Sequence, residues 1–210
     1  MKLYGFAPSP NTWKCRALGA HLGVTLEFVP VDLTKREQRD AEFLTINPSG
    51  RTPALVDGDF KLWESTAILH YIASKKPGSI NPEDARGRAD VIRWQGWQLA
   101  HWGADACVPI MFQKVAKGFL NMGEPDEAIV SKALDVFARE ASFLDKHLEG
   151  RSWIVGDDVT IADFSVGAPL FYAETATIPL GDYPGVVAWF KRLSSLPCWG
   201  ETAPLMGAAA

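Results

Sequence analysis

Two serines stand where a short apolar run gives way to a helical stretch: Ser9 after Lys2 to Phe6, and Ser65 after Phe60 to Trp63. A hydroxyl at such a junction has two uses. It can cap the helix by accepting a backbone N–H, or it can donate to an anion such as a thiolate or carboxylate, helped by the free amides and positive dipole end of the helix. Position alone leaves both open. Other chemistry is sparse. His21, His70, His101 and His147 have no metal-ligand spacing and form no zinc pattern with the cysteines, so no metal is expected. Cys15, Cys107 and Cys198 are odd in number and far apart, which suits reduced thiols used for packing. No Gly-x-Gly-x-x-Gly follows a strand, and there is no phosphate loop and no Gly-x-Ser-x-Gly elbow. The common nucleotide and esterase chemistries are thereby excluded.

The 210 residues, 47% of them hydrophobic, are enough for one large domain or two small ones with a real core. A net charge of −4 with no Lys/Arg run gives no attraction for phosphate backbones, so nucleic acid is not an expected partner. Behind Met1-Lys2 a short apolar run is broken by Pro8, Ser9 and Pro10, with no signal-peptide core and no spanning segment later. The expected address is the cytoplasm, with no membrane partner.

The elements that must position Ser9 and Ser65 follow from local pattern. Strand Lys2 to Phe6, helix Asn11 to Leu22 ended by Gly23, and strand Leu26 to Val31 make a right-handed parallel βαβ unit. A short helical piece near Ala41 to Thr45 follows. The strands Pro53 to Val56 and Phe60 to Trp63 flank Asp57-Gly58-Asp59, a tight hairpin, and a helix runs from Ser65 to about Lys76. This is the order of a thioredoxin fold. Beyond about Arg86 the pattern is helical. Val130, Leu134, Phe137, Ala141, Leu144 and Leu148 form one stripe between Pro125, read as the first helical position, and Gly150, read as the position past the end. Thr160 to Asp163 reads as a capping box, with Val159 and Phe164 as its hydrophobic staple, and a last helix is expected from about Gly185 to Leu196. The expected architecture is an α/β thioredoxin-like domain over 1–77, a linker over 78–86, and an all-α helical-bundle domain over 87–210.

The motifs Met1-Lys2-Leu3-Tyr4-Gly5 with Ser9 and Asn11, Asn47-Pro48-x-Gly50-x-x-Pro53-Ala54-Leu55, and Trp63-Glu64-Ser65-x-Ala67-Ile68, together with the Asp163 cap, lie in register over most of the chain. In order and spacing they resemble the cytosolic glutathione transferases, and among these the serine-type phi class. The resemblance implies a soluble homodimeric detoxification enzyme that adds the thiolate of glutathione, its co-substrate, to a small electrophilic molecule, with no further cofactor. Cys15, well inside the first helix, is out of place for the cysteine-type omega and beta classes. Two other readings are a non-catalytic binding or assembly module on this fold, and another glutathione-dependent activity such as peroxidase, dehalogenase or isomerase.

Each site residue follows from that resemblance. A thiol with a pKa near 8.5 is mostly protonated at neutral pH, and Ser9 would donate to its thiolate. Pro53 matches a position held cis, which would leave the Thr52 backbone to pair with the cysteinyl part as an added strand does. Ser65 would take the γ-glutamyl carboxylate, with Glu64 facing the ammonium. Gln38 and Arg39 would reach the glycyl carboxylate, joined by Arg51, where Gln or Lys is usual in the family. Leu33, Phe112, Ala116 and Phe119 would line an apolar cleft for the second substrate.

Overall fold

Leu3 and Leu55, both 0% exposed, occupy inward positions of neighbouring strands, and around them the first sheet is built. Its strands are β1 (Lys2–Gly5), β2 (Glu27–Pro30), β3 (Ala54–Asp57) and β4 (Phe60–Trp63), in the order β2-β1-β3-β4. β1 and β2 are parallel, with Leu3 opposite Phe28, and are joined by helix α1 (Pro10–His21). The pairs β1/β3 and β3/β4 are antiparallel. Helices α2 (Ala41–Ile46) and α3 (Ser65–Ser74) complete the expected thioredoxin order. The glycines expected to end α1 and to turn the hairpin have positive φ, +63° at both Gly23 and Gly58. The computed structural model describes residues 1–78 and 80–203.

Contacts divide the described residues into two compact units, one running to Asn81 and taking up the chain again from Ser195, the other Pro82–Ser194. That differs from the expected 1–77, 78–86 and 87–210 division at both ends. The second unit begins at Pro82, and the chain leaves it at Ser195. A helix absent from the sequence reading, α10 (Pro197–Glu201), packs on α1, where Trp199 stands edge-on to Trp13 with ring centroids 4.0 Å apart. The physical reason is Pro197: it closes the preceding segment and, at the first turn of a new helix, loses no hydrogen bond. Ser79 of the expected linker and the Ala208–Ala210 tail fall outside the described residues.

The second unit is helical. α4 (Ala85–Trp97) starts at Asp84, whose carboxylate accepts from the amides of Arg86 and Gly87 at 3.0 and 2.9 Å. The helical path continues through a π-type stretch Gln98–Cys107, α5 (Val108–Met111), a second π-type stretch Phe112–Ala116 and α6 (Lys117–Phe119). Pro109 within this path has no amide to give to Asp105. α7 (Glu127–His147) begins at Asp126, which accepts from Ala128 and Ile129, so Pro125 lies ahead of the cap rather than at the first helical position. Of the expected stripe, Val130, Phe137, Ala141, Leu144 and Leu148 are buried and Leu134 is half-buried.

α8 (Ile161–Gly167) carries the expected capping box and more. Asp163, 0% exposed, accepts from the Ile154 amide at 3.0 Å, the Thr160 amide at 2.8 Å, the Thr160 hydroxyl at 3.0 Å and Trp189 Nε1 at 2.8 Å. Burial raises the pKa of its carboxyl and these four hydrogen bonds oppose the rise. Through Trp189 the cap also anchors α9 (Pro184–Ser194), a contact the local spacing does not contain.

Candidate active site

Strand register decides which candidates meet. Tyr4 pairs with Ala54, and Ala54 pairs with Trp63, so the end of β1, the start of β3 and the end of β4 lie side by side at one end of the sheet. Ser9 follows the first, Thr52-Pro53 precedes the second, and Glu64-Ser65 follows the third. Three separated motifs are thus assembled on a single ledge of the first unit.

Ser9 stands at the N-cap of α1 with extended dihedrals, φ −75° and ψ 125°, but its side chain makes no cap hydrogen bond. Its amide donates to Phe6 O at 2.9 Å and its carbonyl accepts from Trp13 at 2.8 Å. The backbone is committed, while the hydroxyl makes no hydrogen bond among the described residues.

Ser65 is fixed differently. The helix cap position belongs to Glu64, which is held at φ +70° and ψ 114°, and Ser65 is the first helical residue, 7% exposed. Its hydroxyl donates to Asn11 Oδ1 of α1 at 3.4 Å, and the Cys15 thiol donates to Ser65 O at 3.7 Å. These two contacts clip the beginning of α3 to α1, so the unbonded first amides of α3 and the Ser9 hydroxyl belong to one ledge. Cys15 itself is fully buried, and burial pushes its thiol up to about 12. A thiol in that state supplies no nucleophile.

The Thr52–Pro53 peptide bond is cis, as expected. Neither backbone polar group of Thr52 has a partner among the described residues, whereas the next residue, Pro53, is buried and Ala54 enters the sheet. The preceding turn is tied by Asn47, whose Nδ2 donates to Arg51 O at 2.6 Å and whose Oδ1 accepts from the Ser49 amide at 3.0 Å. Gly50 is required there by its φ of +61°, and its bare Cα lets Arg39 come close: a Cβ would stand 2.6 Å from Arg39 Nη1. The Arg39 guanidinium therefore lies over the 49–52 turn, so two exposed guanidiniums, Arg39 and Arg51, flank it with no acidic partner among the described residues. Gln38 precedes Arg39 in a single 3₁₀ turn (Glu37–Arg39), and its Oε1 is buried without a hydrogen bond.

The apolar candidates are not brought onto this ledge by anything in the first unit's register. Leu33 is half-buried and packs on the cluster of Val31, Phe43, Ile46 and Ala54. In the second unit Phe112 and Ala116 are half-buried at the two ends of a π-type stretch, not on a plain α-helix, and Phe119 is 39% exposed. Among the described residues no group of three or more His, Cys, Asp or Glu is placed to hold a metal ion, and no helix is long and apolar enough to cross a membrane.

One residue of the first unit escaped the sequence reading. Lys14 on α1 is 0% exposed, and its Nζ is buried without a hydrogen-bond partner. No spacing rule marks it: α1 buries Thr12, Trp13, Lys14, Cys15, Ala17, Leu18 and Gly19, nearly its whole circumference, so it shows no polar face on which a lysine would look out of place.

Comparison with known proteins gives a consistent answer. The family model described as "Glutathione S-transferase, N-terminal domain" matches residues 1–74, and that described as "Glutathione S-transferase, C-terminal domain" matches 104–197. Glutathione S-transferase 3 of Zea mays is 34% identical over 209 residues, covering 96% of this chain and 92% of the maize protein. A solved structure, glutathione S-transferase-I bound with the ligand lactoylglutathione, superposes with a TM-score of 0.88 at 30% identity, covering 98% of this chain and 99% of that one. A relative named for different chemistry, the disulfide-bond oxidoreductase YfcG of Escherichia coli, is 30% identical over 207 residues, covering 93% of this chain and 91% of that protein.

Proposed function

We infer the function from one premise, that the chain belongs to the glutathione S-transferase family. It is a glutathione transferase: it binds glutathione on the first unit and transfers the thiolate to small, hydrophobic electrophiles, a detoxification chemistry. The observation that carries the site assignment is the set of polar groups left over on one ledge, namely the Ser9 hydroxyl, the Thr52 backbone and the first amides of α3.

Each leftover group matches a demand of the tripeptide. The Thr52 N–H and C=O pair with the cysteinyl backbone as an added strand would. The γ-glutamyl carboxylate sits on the α3 start at Ser65, where unbonded amides and the dipole favour negative charge, and Glu64 faces the ammonium. Arg39, Arg51 and Gln38 hold the glycyl carboxylate; a guanidinium offers a paired, permanently charged donor set for it. With the backbone so fixed, the sulfur lies at the start of α1. The Ser9 hydroxyl donates to the thiolate, and the charge-assisted bond stabilises the anion over the thiol. Attack on the electrophile then forms a carbon–sulfur bond as the leaving group departs or the acceptor π-bond shifts. Leu33, Phe112, Ala116 and Phe119 are proposed as apolar contacts of that electrophile.

The YfcG likeness favours a second reading, reduction of small disulfides by glutathione. The three cysteines of this chain are all buried, so glutathione itself would carry that chemistry. Purified protein assayed with glutathione against a halogenated nitrobenzene, an isothiocyanate, a hydroperoxide and a small aliphatic disulfide separates the two. Conjugation of an aromatic or isothiocyanate substrate is expected. Turnover confined to the disulfide would select the second reading, and absence of any thermal shift at millimolar glutathione would overturn both. A cytoplasmic address is proposed from the same family membership.

A further inference from the structure

A lysine with nowhere to put its charge is costly. Lys14 is wholly buried, and its Nζ has neither a hydrogen bond nor an ion pair among the described residues. An ammonium taken out of water without a partner is strongly disfavoured. Burial pulls the Lys14 pKa down to about 8, against smaller opposing effects from Cys15 and Glu64. Methionine would fill the same space without that penalty, so the charge calls for a reason.

Its surroundings place it under the ledge. Cys15, its chain neighbour on α1, reaches the carbonyl of Ser65, and α1 packs along α3. The charged or titratable groups that face Lys14 are Cys15 on its own helix and Glu64 just before α3. The remaining groups on the packed elements are occupied elsewhere. His70 of α3 lies 3.5 Å from Asn81, Tyr71 and Lys75 bond Asp57, and on α10 Cys198 is buried with its thiol pushed up while Glu201 is exposed. Glu64 is exposed and forms no ion pair with Lys14, so among the described residues no negative charge is paired with the buried ammonium.

We propose that Lys14 is a positioning residue of the glutathione site, a buried positive charge beneath the junction of α1 and α3 that the bound tripeptide, together with Glu64, completes. This rests on the glutathione reading above. Glutathione carries two carboxylates against one ammonium, so its arrival favours the charged form of Lys14. Where a fraction of Lys14 is neutral, the Nζ lone pair takes a proton from solvent as the ligand binds; no other bond is made or broken. Well below pH 8 the group is already charged and binding takes up nothing.

The experiment is calorimetric titration of the parent, Lys14→Met and Lys14→Arg with S-methylglutathione, which has no ionisable thiol, at pH 8 in two buffers of different ionisation enthalpy. At a pH equal to its pKa half of a group is neutral, so the parent should take up as much as ~0.5 proton per site. Lys14→Met should lose that uptake and bind at least tenfold more weakly; Lys14→Arg, charged throughout, should recover affinity without uptake. Thermal unfolding of the ligand-free proteins supplies a readout that a merely structural lysine would not give. Because the folded pKa is lowered from 10.5 to about 8, the unfolded chain binds more protons between those values. The charge is therefore a full burden below pH 8, relieved as pH rises toward 10.5. Lys14→Met should melt at or above the parent at pH 7, with the difference shrinking by pH 10. Equal proton uptake in parent and Lys14→Met, affinities within twofold, or Lys14→Met melting well below the parent at pH 7 would each overturn the proposal while leaving the glutathione reading standing. No binding to the parent at all would remove that reading and this one with it.

Discussion

Replacing Ser9 by alanine separates two roles that one hydroxyl is commonly given. A capping serine contributes about 1 kcal/mol, in a range of roughly 0.5–2. For a chain of this size each kcal/mol moves Tm by about 2–4 °C. The Ser9 hydroxyl accepts nothing from α1, so that contribution is absent, and Ser9→Ala should melt within about 1 °C of the parent. The loss appears on the ligand instead. A hydrogen bond to a charged group is worth roughly 1.5–3 kcal/mol, and one pKa unit corresponds to about 1.4 kcal/mol. The thiol of bound glutathione should therefore titrate about one to two units higher in the variant. Thiolate absorbance of the complex, followed against pH, reads this directly. Turnover should fall about tenfold for each unit that the titration lies above the assay pH. Affinity for glutathione should change far less, because in the proposed site Arg39, Arg51, Thr52 and Ser65 supply the remaining contacts to the tripeptide. If the absorbance titrates at the same pH in both proteins, Ser9 does not touch the sulfur and the mechanism fails.

In the second unit, Asp163→Ala leaves three donors that cannot turn away to water: the amides of Ile154 and Thr160 and the indole of Trp189. At about 1–3 kcal/mol for each orphaned buried donor, the cost is about 5 kcal/mol, or a Tm lowered by roughly 10–20 °C. Asp163→Asn keeps one acceptor oxygen and should lose about half as much; a drop below about 5 °C for the alanine variant refutes the network as the tie between α8 and α9. A homodimer is also expected, because Ile92, Leu99 and Phe143 of the second unit leave large apolar surface exposed, at 58%, 49% and 53%. Light scattering should return twice the 23.0 kDa chain mass, and the monomer mass at micromolar concentration would refute it.

The first unit was legible because its signals are local. Short apolar strands, the glycine after α1, the glycine of the hairpin and the proline before β3 each act on their immediate neighbours, and all four stand within a residue of where the sequence reading put them. The errors of boundary have the same origin. Pro125 is a good first helical residue, but Asp126 next to it accepts two amides and so takes the cap; one residue's propensity yields to another's hydrogen bonds. The helix from Pro197 was missed because proline read as an end is equally a beginning. Its partner, Trp13 on α1, is far away in sequence. The role of Asp163 was half legible for the same reason: the box with Thr160 is a four-residue pattern, whereas the bonds to Ile154 and Trp189 exist only once the chain has closed.

The site divides along the same line, and with more consequence. The family resemblance named the residues on the ledge and position marked Ser9 and Ser65, but neither could say what the polar atoms do, since a serine before a helix is a cap or a ligand according to where its hydroxyl points. Ser65 spends its hydroxyl on Asn11, and Ser9 spends nothing. Lys14 is the extreme case, for its type and its position on an otherwise buried helix argue against each other, and sequence rules resolve such a conflict by sending the lysine to the surface. The fold instead keeps it at 0% exposure. Local preference and global packing agree nearly everywhere in a chain that folds to one state, so the places where they part are where a function is to be sought. Among the described residues neither the Ser9 hydroxyl, at the cap of α1, nor the Lys14 ammonium, on α1, has a partner, and the start of α1 is clipped to Ser65 at the start of α3. A donor without an acceptor and a cation without an anion are complementary to the same kind of molecule, an anion with an ionisable thiol.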